Sequence, residues 1–137
     1  MIENHMVHVN VWRDFATLHD ITAEERYLYL YLLTNDQVNS IGIYPLSKKM
    51  IECETGYSVE HITLLMERLM NHHKLIRYNV ETYELAIKNW AKHTKLRGGK
   101  QRMISELTKV EDPSLISFVS ESIRNGEIRR LYGSFCH

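Results

Sequence analysis

The hydrophobic pattern changes period once, around His72-His73-Lys74, and that switch limits the folds open to this chain. Before it, Val59, Ile62, Leu65, Met66 and Leu69 recur at helical spacing, while Glu60, His61, Thr63, Leu64, Glu67, Arg68 and Asn71 fall elsewhere. After it, Ile76, Tyr78 and Val80 alternate with Arg77 and Asn79, and Tyr83, Leu85 and Ile87 alternate with Glu84 and Ala86. The spacing predicts a helix from Val59 to about His72, capped by Ser58, then a hairpin turning at Glu81-Thr82. No Asn-Gly pair stands at that turn, so a loop longer than two residues is expected.

Upstream, Thr22 and Glu25 form a capping-box pair that starts a helix running to about Asn35. Its Tyr27, Leu28, Leu30, Tyr31, Leu32 and Leu33 cover nearly every face, which marks a helix buried in a core or at an oligomer contact. The segment 41–46, IGIYPL, reads as a brief strand that Pro45 limits to an edge or an end. Ser47 then caps a short helix that stops at Gly56. Nearer the start, the alternation in VHVNVW (7–12) predicts a short strand, and Trp12, like Trp90, is expected to anchor the core. Downstream, helices are expected over 100–111 and 114–125, the second opened by Asp112-Pro113, with a last short helix from Glu127. Helix, strand, helix, turn, helix and hairpin is the order of a winged helix-turn-helix. The expected fold class is therefore mainly α with a small β-hairpin. Residues 1–92 form a winged-helix domain with an N-terminal arm, 93–102 a basic linker, and 103–137 a C-terminal helical extension.

A chain of 137 residues supports one domain, or a small domain with an appendage. The start lacks the layout of a secretory signal, and no apolar run is long enough to span a bilayer, so a cytoplasmic protein without membrane contact is expected. Cys53 and Cys136 stand far apart and read as reduced thiols. Lys+Arg and Asp+Glu both number 17, yet the charges are segregated. Asp14, Asp20, Glu24 and Glu25 make the region of the first helix acidic. The stretch 88–102, KNWAKHTKLRGGKQR, carries Lys88, Lys92, Lys95, Arg97, Lys100 and Arg102 and no carboxylate. Beside a compact domain this concentration points to a polyanion, most simply double-stranded DNA; the competing reading is a solvated linker.

In the expected fold the third helix offers Ser58, His61, Thr63 and Arg68 to a major groove. Glu60 and Glu67 on the same helix would repel phosphates, and the face could instead pack on another subunit. Lys48 and Lys49 are placed for phosphate contact. No metal or cofactor is expected: adjacent residues such as His72 and His73 point in different directions on a helix, and no Cys pair accompanies them. Gly98-Gly99 is too short for a phosphate-cradling loop, and no nucleophile–base–orienter set is visible, so catalysis is not expected.

The pieces EERYLYLYLLTN, IGIYPLSKKM, TGYSVEHITLLMERL, KLIRYN and ELAIKNWAKH resemble the N-terminal winged-helix domain of phage replisome organisers and DnaD-like primosome proteins of Gram-positive bacteria. The segment ISELTKVEDPSLISFV resembles the helical extension of some phage members, and the likeness covers about 12–120. The DnaD-type C-terminal domain of larger relatives has no counterpart. The resemblance implies a non-enzymatic role in starting phage or prophage replication, on DNA, as a homodimer or higher homo-oligomer and beside other replication proteins. A protein-interaction module or a transcriptional regulator on the same fold are the alternatives.

Overall fold

Thr22 closes the capping box the sequence announces: its side chain accepts from the Glu25 backbone N–H, and the Glu25 carboxylate accepts from the Thr22 N–H. The computed structural model describes residues 6–94 and 99–136. Helix α1 spans Asn10–Thr17, α2 Ala23–Thr34, α3 Lys48–Thr55 and α4 Val59–Glu67. A π-helical turn, Arg68–His72, continues α4. Strands β1 (Ile43–Pro45), β2 (Ile76–Asn79) and β3 (Glu84–Ile87) form one antiparallel sheet in the order β1-β3-β2. A one-turn helix α5 (Trp90–His93) and helices α6 (Gly99–Thr108), α7 (Pro113–Ser120) and α8 (Gly126–Gly133) complete the described chain.

The chain is thus mainly helical with a small sheet, as the periodicity requires. Ser47 and Ser58 cap α3 and α4, and Gly56 ends α3 in the left-handed region. The hairpin pairs Ile76 with Ile87 and Asn79 with Glu84, leaving a four-residue loop in place of a two-residue turn. The Asn79 side chain closes that loop by accepting from the Glu81 and Thr82 N–H groups. Pro45 ends β1 at the edge of the sheet.

Two expectations at the start of the chain are corrected. The 7–12 segment is not a strand: only Val7 bridges to Thr94, and α1 begins at Asn10. Val11 and Phe15, four residues apart, are both buried, so the helical period prevails over the two-residue alternation. Trp12 lies on the other side of α1 and is 59% exposed, packing edge-on against Phe15, and does not anchor the core. Trp90 does: it is buried and donates its Nε1–H to the Ser40 carbonyl.

The C-terminal helices share the core of the rest. Met103, Leu107, Leu115, Ile116, Val119 and Tyr132 belong to the same buried cluster as Leu28, Leu32 and Ile62. The Tyr132 hydroxyl donates to the Ile41 carbonyl. Glu84, on β3, is buried and accepts from the Glu111 and Asp112 N–H groups and the Thr82 hydroxyl. Three donors offset the cost of removing this carboxylate from water and fasten the loop before α7 to the hairpin.

Candidate nucleic-acid interface

Packing decides which cations face outward with charge to spare. Lys49 lies 2.9 Å from Glu52, which raises its pKa through that hydrogen bond. Lys92 lies 2.9 Å from Asp14. Lys100 is paired with Glu127, and Arg102 sits 3.5 Å from Glu106 one turn along α6. Lys95 and Arg97 lie outside the described residues. Of the expected basic run, Lys88 is the one described cation without a carboxylate partner.

The third-helix candidates are committed within the fold as well. The Ser58 hydroxyl accepts from the His61 N–H at the start of α4. The His61 ring stacks on Tyr57 with centroids 4.7 Å apart, and its Nε2 lies 3.1 Å from Glu24. The Thr63 hydroxyl donates to the Val59 carbonyl and accepts from Lys48 Nζ at 3.1 Å. Arg68 turns back toward α2, its Nε 2.9 Å from Glu25 and its Nη2 3.7 Å from Asp20. What remains outward on α4 is Glu60, Glu67 and Leu64, the last 64% exposed.

Elsewhere the geometry brings cations together. Two adjoining hollows share Met70, Asn71, Tyr78 and Val80 as walls. Lys48 lines one of them; Lys74, Arg77 and Lys88 line the other. Lys48 Nζ lies 5.9 Å from the Tyr78 ring centroid, and the Arg77 guanidinium sits 4.7 Å over Phe118 of α7. Stacking of this kind steadies a cation while its N–H edges stay free for phosphate. The strip therefore runs from α3 across the end of the π-turn to the hairpin, with Val80 of the hairpin loop on its wall. Lys88 also lines a third hollow that holds Arg124 and Arg129. Glu67, Asp112 and Glu121 face the first two hollows and oppose an anion. Asp112 is engaged by Ser114 and Asn79; the Ser114 hydroxyl, first among its partners, holds its pKa below the ordinary value.

Lys74 and Arg77 are the members that sequence reasoning missed, although a signal existed. A turn centred on Glu81-Thr82 sets Leu75 opposite Lys88, and the Lys88 N–H does donate to the Leu75 carbonyl. That register brings Lys88 beside the Lys74–Arg77 segment.

A second cluster joins parts of the chain the sequence keeps far apart. His72 Nε2 is hydrogen-bonded to Asp20, His73 Nε2 lies 2.9 Å from Glu25, and Arg68 spans both carboxylates. Glu25 is buried, which opposes its ionisation. Hydrogen bonds from the Thr22 backbone, Arg68 and His73 outweigh that cost and bring its pKa down to about 2. No protein-family model, curated protein sequence or solved structure matches the chain.

Proposed function

We propose that this chain is a non-enzymatic DNA-binding protein of the winged-helix kind, holding the duplex chiefly by its phosphates. The observation that carries the reading is the strip of Lys48, Lys74, Arg77 and Lys88 beside the hairpin loop, cations from separate elements that form no salt bridge among the described residues, with Asp112 the acidic group that feels the Arg77 charge. The element order and the β1-β3-β2 sheet support the winged-helix assignment. In this reading the hairpin loop is the wing, and α4 orients the strip more than it reads bases. Phosphate contacts supply most of the affinity of such a protein. Work in starting phage or prophage replication, in the host cytoplasm and as a homodimer or higher homo-oligomer, draws on the resemblance of the quoted segments. A dimer would double the cationic surface.

Fluorescence anisotropy with a labelled duplex of arbitrary sequence at low salt tests the reading. Binding that weakens as salt rises is expected; no binding at low salt refutes it. A second reading is favoured by one feature: Leu64 stands exposed on α4 between Glu60 and Glu67, a face suited to a protein partner and unsuited to phosphate. On that reading Leu64→Glu abolishes self-association in light scattering, and duplex DNA does not bind.

A further inference from the structure

The side chains of Asp20, His72 and His73 place three ligand atoms within 4.8 Å of one another. Asp20 belongs to the loop before α2, while His72 ends the π-turn and His73 follows it. Neighbouring side chains on an α-helix diverge by about 100°. Here the His73 N–H bonds back five residues to the Arg68 carbonyl, a wider turn with a smaller angular step. The two rings consequently stand 4.8 Å apart, edge to face, over the same carboxylate. Wider turns of this type recur at functional sites.

The orientation of the His73 ring follows from its partner. His73 Nε2 lies 2.9 Å from Glu25 Oε1, so the carboxylate holds that edge of the ring. Its Nδ1 edge faces Asp20, 4.0 Å from Oδ1 and beyond hydrogen-bonding reach. A carboxylate that holds one ring nitrogen so that the other faces a cation is the arrangement that orients histidine ligands in metal proteins.

We propose that Asp20, His72 and His73 form a site for a borderline divalent transition metal such as Zn2+, with Glu25 as the positioning carboxylate behind His73. One oxygen and two imidazole nitrogens are the ligand types zinc takes, and the fourth position is left to water. Tetrahedral zinc with bonds of about 2.0–2.1 Å sets its ligand atoms about 3.4 Å apart, so on binding the widest pair closes by about 1.4 Å while His72 Nε2 draws back from the Asp20 oxygen it now touches. Asp20 and His72 are 57% and 48% exposed, which gives the ion an open approach. Arg68 opposes it, its Nη2 being 3.7 Å from Asp20 Oδ2. The ion displaces that weak contact, while the 2.9 Å bond from Arg68 to Glu25 remains. Bound there, the metal would clamp the entry of α2 to the end of the helix beside the cationic strip.

Calorimetric titration of the full chain with Zn2+ tests the site, with Co2+ absorption reporting tetrahedral coordination by nitrogen and oxygen. One equivalent is expected to bind and to raise the melting temperature. Asp20→Asn and His72→Gln, both on exposed side chains, are each expected to weaken binding by at least about tenfold and to remove the Co2+ bands. His8→Gln, remote from the cluster, leaves both unchanged. Absence of stoichiometric binding overturns the proposal. So does binding that survives both variants, or that His8→Gln abolishes.

Discussion

Removing cations from the strip, and not from the paired positions, should change how DNA binding responds to salt. Each phosphate neutralised by a protein cation adds about −0.9 to the slope of log affinity on log salt for duplex DNA. Four contacts, from Lys48, Lys74, Arg77 and Lys88, give a slope of about −3.6, or roughly a 150-fold loss of affinity between about 50 and 200 mM salt. Each single change to alanine should flatten the slope by about 0.9, and the fourfold variant should remove the strip's share altogether. Lys49→Ala and Lys92→Ala should move it by less than about 0.5, because those ammonium groups already face Glu52 and Asp14. Cations at 95, 97, 124 and 129 that reach the duplex would steepen every slope alike and leave the differences intact. Anisotropy titrations of a labelled duplex at several salt concentrations supply the measurement. A parent slope shallower than about −1, or equal losses from strip and paired positions, refutes the reasoning.

Three further expectations concern the scaffold. Gly42→Ala should destabilise the chain by roughly 2–5 kcal/mol in urea unfolding, combining a left-handed backbone cost with overpacking; Gly42 has φ +77°, and a Cβ there would lie 2.4 Å from Trp90 Cγ. Tyr132→Phe should cost about 1 kcal/mol by removing a buried hydrogen bond, and near- and far-ultraviolet dichroism should still melt together, because α8 shares the core that this hydroxyl ties to Ile41. Asp112 has its pKa lowered by Ser114 in the folded state, so its stabilising share is complete above the ordinary carboxylate range and disappears as pH falls through the depressed value; Asp112→Asn should reduce the fall in urea midpoint between about pH 6 and pH 3.

Local signals carried much of the fold. Ser47, Ser58, Thr22 and Asp112 each cap the helix their position announced, since a capping bond spans only a few residues. The hairpin register followed from where its turn sits. The 7–12 segment misled because Val7, Val9 and Val11 alternate while Val11 and Phe15 also keep helical spacing, and burial of the latter pair decided between the two periods. Glu84 stands in an alternating strand like any outward residue, and only the return of the 111–112 backbone explains its burial.

Charge was less legible. From composition and order alone the chain determined a mainly helical fold, a hairpin after the helix that begins at Val59 and a concentration of cations near it. Tertiary structure decided which of those cations keep their charge for a partner. Arg68 meets Glu25 across 43 residues and Lys92 meets Asp14 across 78, pairings that no local pattern encodes. The same packing carries Asp20 to His72 and His73 and lines up Lys48 with Lys74, Arg77 and Lys88. Caps, turns and periods act over a few bonds and can be read along the chain, whereas a salt bridge between distant segments or a ligand set is a meeting in space that exists once the helices have packed.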